Sequence, residues 1–335
     1  MIKKSNIFLM FLLYNFNLFS ETILVTGGAG FIGSHVCRQL LLKKHRIICI
    51  DNFNKYYDPN IKKQNIQDLI TNKNFQLKKL SINHFKDLKK IFEQEKISFI
   101  IHLAARAGVR PSIENPFIYE KTNIKGTLNI LECAKKYHTK KIVVASSSSV
   151  YGNNKKIPFS EKDNTENQIS PYAATKKMCE ILCKNYHLMY GLNIVCLRFF
   201  TVYGPSGRPD MAIYKFIDNI SKEKVIQMYG DGNSSRDYTY IDDIVNGIIA
   251  SLKCPSTFEI INLGNSHPTK LKKLISIIEI FLNKKALIEI KDIPMGDVEK
   301  TYADISKASQ LIQYKPTTSI EEGIKKTIEW YKKTI

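Results

Sequence analysis

Between Thr22 and Phe200 short, almost uninterrupted apolar runs alternate with segments of helical periodicity. TILVTG opens the series, a glycine turn follows, and a helix beginning near Phe31 runs through HVCRQLLLKK. RIICID, FQLKKLSI, ISFIIHLAA, KIVVASSSS and NIVCLRFF read as further strands, with helices between them at about 85–95, 117–136 and 172–190. Strands apolar along their whole length are buried on both faces, as in the interior of a parallel sheet. Repeated units of this kind predict an α/β fold with a doubly wound parallel sheet of the Rossmann type. After Phe200 the rhythm breaks at a Gly/Pro-rich loop, YGPSGRPD, and mixed short elements follow. FEIINLG, at 258–264, reads as one more sheet strand, and LKKLISIIEIFLNK and IEEGIKKTIEWYKK as helices. We therefore expect a Rossmann domain over 21–200 with a returning segment 237–264. A smaller mixed lobe is expected from 201–236 and 265–335, with residues 1–20 as an apolar extension.

Charge changes this picture less than its size suggests. The net charge is +19, yet 43 of the 50 basic residues are Lys, scattered along the chain with no run longer than two. That is a compositional bias and not a phosphate-tracking stripe, so nucleic acid is not an expected partner. The seven cysteines contain no CxxC pair and no accompanying His cluster; buried free thiols in a reducing compartment are expected, without a metal. Lys3-Lys4 followed by IFLMFLL imitates a signal peptide, but Asn15 and Asn17 interrupt it and no small-x-small cleavage site follows. The apolar run is shorter than the ~20 residues that span a bilayer. A cytoplasmic protein is the primary reading, and membrane association through residues 1–20 the alternative.

Candidate chemistry gathers at the ends of the strands. Gly27, Gly30 and Gly33 form GxxGxxG between the first strand and its helix, with Phe31 and Ile32 at the helix start. Glycines there permit a tight turn and let backbone N–H groups approach a diphosphate at the helix N-terminus. Asp51, eighteen residues past Gly33, ends the second strand, where a carboxylate accepts both hydroxyls of an adenosine ribose. Asn52 follows and no Arg stands nearby to pair with a 2′-phosphate, so NAD is the expected cofactor. Tyr172 and Lys176 make YxxxK at the start of a helix, on one face. An ammonium beside a phenol favours the phenolate, which brings a tyrosine towards use as a base. Ser146 to Ser149 end the fifth strand, where hydroxyls point into the crevice of a parallel sheet.

GGAGFIG, IIHLAARAGVR, ASSSSVYG, SPYAATKK, LRFFTVYGPSGRPDM and RDYTYIDDIV together resemble the extended short-chain dehydrogenase/reductase superfamily, and within it the UDP-glucuronate 4-epimerases. The resemblance runs from Thr22 to Tyr331. It implies Tyr172 as catalytic base, Lys176 as its partner on the nicotinamide ribose, and Ser147 as the catalytic hydroxyl, with Ser148 and Ser149 as further substrate-facing candidates. Leu103, Ala104, Ala105 and Asn123 fall where the family lines the NAD pocket. Arg236 matches the arginine that holds the nucleotide diphosphate, and Arg208 the one that faces a sugar carboxylate. Both arginines read as loop residues, where a planar fork grips anions as Lys cannot.

Three positions depart from the resemblance. Ser81 stands where many relatives carry Asp near the adenine, Arg106 where glucuronate epimerases usually carry Gln, and Thr201 replaces the Asn of galactose-type epimerases. Related dehydratases carry Asp-Glu before Val-Tyr-Gly; Ser148 and Ser149 cannot do that acid–base work. The resemblance therefore implies a UDP-sugar substrate and an NAD-dependent 4-epimerase interconverting UDP-glucuronate and UDP-galacturonate. A 4-epimerase of a neutral UDP-hexose or UDP-N-acetylhexosamine is the runner-up, and a non-catalytic NAD- or RNA-binding relative the remote alternative. The resemblance also implies a homodimer through helices 117–136 and 172–190, with Leu128, Leu131, Ile181 and Leu182 as contact candidates.

Overall fold

The computed structural model describes residues 20–294 and 296–334. Ser20 apart, the apolar extension expected at 1–20 lies outside the described residues. The main sheet is built from β1 (Thr22–Thr26), β2 (Arg46–Asp51), β3 (Phe75–Lys79), β4 (Phe99–His102), β5 (Lys141–Ser147) and β6 (Ile194–Phe199). Strands β7 (Thr201–Tyr203), β8 (Val225–Tyr229) and β9 (Ser235–Tyr240) leave it, and β10 (Phe258–Leu263) returns to its edge beside β6. The spatial order is β10-β6-β5-β4-β1-β2-β3, with every neighbouring pair parallel. Strand order therefore reverses between β1 and β4, which opens a crevice at their carboxyl ends, where ligands of such sheets bind.

The apolar runs behave as a sheet covered on both sides requires. Along β1, Ile23 and Val25 enter one core while Leu24 enters the other. Helices α1 (Phe31–Leu42), α2 (Pro59–Asn65), α3 (Phe85–Gln94), α4 (Val109–Glu114), α5 (Pro116–Tyr119), α6 (Gly126–Lys136) and α7 (Pro171–Tyr190) fill the connections among β1 to β6. The helix expected at 117–136 is interrupted: a π-helical turn, Glu120–Lys125, separates α5 from α6. Such turns hold one extra residue and are frequent at functional sites; this one carries Asn123.

Beyond β6, β7 and β11 (Pro268–Lys270) flank β9 in a three-stranded sheet, and β12 (Leu287–Lys291) pairs with β8. Helices α8 (Ala212–Ser221), α9 (Ile241–Ser251), α10 (Leu271–Leu282), α11 (Ser306–Ile312) and α12 (Ile320–Thr334) complete the chain. Arg236, read as a loop residue, lies inside β9 opposite Thr269. All seven cysteines are buried and free. Among the described residues no helix is long and apolar enough to cross a membrane.

A buried ion pair pins α7 to the sheet. Arg198 on β6 donates from Nε and Nη2 to both oxygens of Glu180, each at 2.8 Å, and both side chains are 2% exposed. The Ser146 hydroxyl donates to the same carboxylate at 2.6 Å. Glu180 stands one helical turn past Lys176, so the pair fixes the rotation of the helix that carries Tyr172 and Lys176.

Candidate active site

A cleft of about 1270 Å³ opens along the carboxyl ends of the strands between the sheet and the smaller lobe. That exceeds the ~300–1,000 Å³ of a pocket for one small ligand, and its lining divides into two ends. At the sheet end lie Gly27, Gly30, Phe31, Ile32, Gly33, Asp51, Asn52, Leu103, Ala104 and Ala105, as expected. The turn is closed on itself: a Cβ on Gly33 would stand 2.2 Å from the Gly27 carbonyl oxygen, and one on Gly27, at φ +69°, 2.8 Å from the Ala104 nitrogen. Gly30 precedes helix α1 as its N-cap, with no side-chain cap bond and no acid in the first turn. Its leading N–H groups thus face the cleft as an anion site, which fits the diphosphate of a dinucleotide.

Asp51 is 6% exposed and accepts from Phe53 N at 2.8 Å and Ala29 N at 3.3 Å. Lys62 of α2 approaches the same carboxylate at 3.7 Å, and burial, opposed by Asp51, lowers that lysine's pKa. The sequence reading missed Lys62, together with Asn54, Tyr56 and Tyr57, which also line this end. Their signal was the polar, aromatic run NFNKYYDP directly after Asp51. Ser81 lines the cleft between Leu80 and Ile82 and accepts from Asn83 N at 3.3 Å.

Asn123 is the exception among the expected cofactor contacts. It is 1% exposed and its amide is used internally: Nδ2 donates to Arg106 O at 3.0 Å and Thr175 Oγ1 at 2.9 Å, and Oδ1 accepts from Arg106 N at 2.7 Å. The π-turn has drawn it under the chain that leaves β4, so it supports the cleft wall instead of forming it. Beside it His102 joins Thr26 Oγ1 at 2.7 Å to Thr127 Oγ1 at 3.0 Å. Burial, reinforced by the Lys176 charge, pushes its pKa down to about 3, so a neutral ring ties β1, β4 and α6 together beneath the glycine turn.

Tyr172, Lys176, Ser147, Ser148 and Ser149 all line the middle of the cleft. Ser170 caps α7, accepting from Ala173 N at 3.2 Å, and Ser112 Oγ accepts from Tyr172 N at 3.0 Å. The Tyr172 ring packs edge-on against Tyr119 at 6.2 Å. Lys176 is 5% exposed and spends one of its three protons on Ala145 O at 2.6 Å. Ser147 Oγ accepts from Ser149 N at 3.2 Å and Ser149 Oγ at 2.9 Å. Ser146, bound to Glu180, belongs to the buried network.

At the lobe end stand Thr201, Arg208 and Arg236. Arg208, expected to face a sugar carboxylate, is already paired: Nε and Nη2 donate to Asp210 at 3.0 and 2.5 Å, and the guanidinium lies 5.3 Å from the Tyr56 ring. Burial works against its charge, but Asp210 outweighs it and the arginine is held protonated. Arg236 donates from Nη1 to Ser235 O at 3.1 Å and Glu299 O at 3.2 Å. The carboxylates that line the cleft are all occupied: Asp51 by Lys62, Asp210 by Arg208, Asp297 by Arg110 at 2.8 Å, and Glu289 by Lys291 at 2.5 Å.

Residues 24–327 match the family model described as GDP-mannose 4,6 dehydratase. A UDP-glucuronate 4-epimerase of Thermodesulfobacterium geofontis is 49% identical over 313 residues, covering 93% of this chain and 96% of that protein. UDP-glucuronate 4-epimerase 5 of Arabidopsis thaliana is 43% identical over 328 residues, 92% of this chain and 75% of that protein. The solved UDP-glucuronic acid 4-epimerase of Bacillus cereus, in complex with UDP-glucuronic acid and NAD, superimposes with a TM-score of 0.89 at 38% identity, covering 94% of this chain and 100% of that one. The UDP-glucose 4-epimerase of Thermotoga maritima, with UDP-glucose, gives a TM-score of 0.87 at 32% identity, covering 93% and 99%.

Proposed function

We propose that this chain, which belongs to the GDP-mannose 4,6 dehydratase family, is an NAD-dependent 4-epimerase that interconverts UDP-glucuronate and UDP-galacturonate. One observation carries the choice of reaction within the family. Elimination of water needs a free carboxylic acid and a carboxylate base, and every carboxylate lining the cleft is ion-paired, while the strand end presents Ser147, Ser148 and Ser149. Likeness to the three UDP-glucuronate 4-epimerases supports the same sugar.

The residues divide the work as follows. The dinucleotide site is assigned to 21–200 with 237–264, and the nucleotide-sugar site to 201–236 and 265–335. Bound NAD would take up hydride from C4 of the sugar and give it back. Tyr172 takes the proton of the C4 hydroxyl, which raises electron density on that oxygen as the hydrogen leaves carbon. Lys176, with two protons left after Ala145, holds a ribose hydroxyl and stabilises the phenolate. Ser147, whose oxygen already accepts from Ser149 N and Ser149 Oγ, donates its own hydroxyl proton to the C4 oxygen and holds it beside Tyr172. The 4-keto sugar must then turn its opposite face before reduction, so the chain has to hold the nucleotide firmly, through Arg236, and the sugar loosely. Seven buried free thiols suit a reducing compartment such as the cytoplasm.

Arg208 and Thr201 are assigned to the sugar carboxylate. Because Asp210 already shares Arg208, the contact is that of one charge-assisted hydrogen bond, about 1.5–3 kcal/mol. Arg208→Ala should lower kcat/KM for UDP-glucuronate by roughly ten- to hundredfold, at ~1.4 kcal/mol per tenfold. UDP-glucose and UDP-N-acetylglucosamine, turned over more slowly by the wild type, should change little. Wild-type protein that prefers a neutral sugar in this panel would overturn the uronate reading, and an equal fall for all sugars would move Arg208 to the shared nucleotide.

We also propose a homodimer. Met178, Ile181, Leu188 and Met189 of α7 are 48–70% exposed and Phe117 is 81% exposed, an apolar face on the two helices expected to pair. Of the expected contacts only Ile181 stands on that face; Leu131 is fully buried, and Leu128 and Leu182 pack on the protomer core. Light scattering at micromolar concentration should give twice the 38.5 kDa chain mass, and a single chain mass would refute the pairing.

A further inference from the structure

The cleft contains two arginines that line it and form no ion pair among the described residues, Arg106 and Arg236. The proposed reaction brings two diphosphates into the same cleft, one in UDP and one in NAD. Arg236 belongs to the lobe and Arg106 to the sheet. Arg106 follows Ala105 directly, and the chain there presses on the glycine turn, since a Cβ on Gly27 would meet Ala104 N at 2.8 Å. From this place its side chain reaches towards the segment that follows Asp51. Nη1 donates to Asn54 Oδ1 at 3.3 Å, and the guanidinium lies 4.7 Å from the centroid of the Tyr56 ring. Arg106 thus spans from the turn that cradles the diphosphate to the loop beyond the ribose carboxylate. Its backbone is clamped on both sides by the Asn123 amide, at 2.7 and 3.0 Å, which gives that buried amide a purpose.

We infer that Arg106 is a cofactor-binding residue that grips the diphosphate bridge of the dinucleotide and, lying against Tyr56, slows its escape during turnover. Arg106 is only partly buried and has no carboxylate partner among the described residues, so its charge is left for an incoming anion, and a guanidinium matches phosphate oxygens bidentately. Retention matters here because a cofactor that is reduced and reoxidised within one turnover must not leave between the two steps. The inference rests on the epimerase reading only in taking NAD as the dinucleotide.

Three probes separate the diphosphate from its neighbours: NAD, ADP-ribose, which keeps the diphosphate, and adenosine, which lacks it. Binding to cofactor-stripped protein is measured by calorimetry for wild type, Arg106→Gln and Arg106→Lys. Arg106→Gln should bind NAD and ADP-ribose ten- to hundredfold more weakly, release NAD faster, and bind adenosine as wild type does; Arg106→Lys should fall between. Unchanged NAD affinity with weakened UDP-glucuronate would move Arg106 to the sugar and overturn the assignment. An equal loss for adenosine would overturn it too, as damage to the fold. Wild-type protein that bound neither NAD nor ADP-ribose would instead sink the functional reading itself.

Discussion

Tyr172→Phe should lower turnover of UDP-glucuronate by roughly 10²–10⁴-fold, the usual contribution of a positioned acid–base group, while NAD binding and thermal stability stay close to wild type. The structure makes this a clean substitution. The ring is held by Tyr119 at 6.2 Å and the backbone by Ser112, while the phenol oxygen makes no hydrogen bond among the described residues. Phenylalanine keeps the packing and removes only the proton acceptor, so the loss should fall on kcat and leave the dissociation constant of NAD unchanged. Activity within tenfold of wild type would mean that another group takes the C4 proton.

The second large effect belongs to the cradle. Gly33→Ala should weaken NAD binding on the order of a hundredfold, the scale of effect that an ångström of misplacement produces. It should also destabilise the protein by about 1–3 kcal/mol, as overpacked sites do. The added methyl would lie 2.2 Å from Gly27 O and 2.7 Å from Gly28 Cα. Both are backbone atoms, so the turn itself must open and carry the N–H groups of α1 away from the diphosphate. Gly30→Ala meets its nearest atom at 3.2 Å and should be milder. Gly191→Ala, at φ +67° with nothing within 4 Å of its Cβ, should cost stability through backbone strain alone and leave NAD titrations unchanged. Wild-type NAD affinity in Gly33→Ala would show that the glycine turn is not the cofactor cradle.

The sheet and the residues that gather at its strand ends were legible because they depend on short-range pattern. Apolar runs gave β1, β2, β4, β5 and β6 and the edge strand at 258–264, since a strand covered on both faces cannot hide its composition, and the mixed run FQLKK gave the edge strand β3. Glycine spacing, Asp51 at a strand end and YxxxK are likewise local. What escaped was the partnership of charges. Arg208 reads as a fork for a sugar carboxylate, with no sign that Asp210, two residues on, holds it in a bidentate pair. Lys62 meets Asp51 across the turn before α2, and Glu180 meets Arg198 across the helix–sheet interface; neither pair has a spacing that periodicity registers. Resemblance alone places Asn123 at the pocket; its amide is engaged by Arg106 and Thr175 beneath the cleft wall, a partnership that no local pattern registers. The parallel pairing of β8 with β12 joins segments some 60 residues apart and mostly exposed, where alternation carries little information.

The hydride that leaves C4 should return to the same carbon from the other side, with the proton handled by Tyr172 and nothing lost to solvent. UDP-glucuronate carrying deuterium at C4 tests this directly when incubated with the purified protein and its bound NAD in ordinary water. The product should be UDP-galacturonate with the deuterium still at C4, with no net reduction of NAD and no release of carbon dioxide. A 4-epimer that has lost its label to water would contradict hydride return, as would consumption of NAD in step with product.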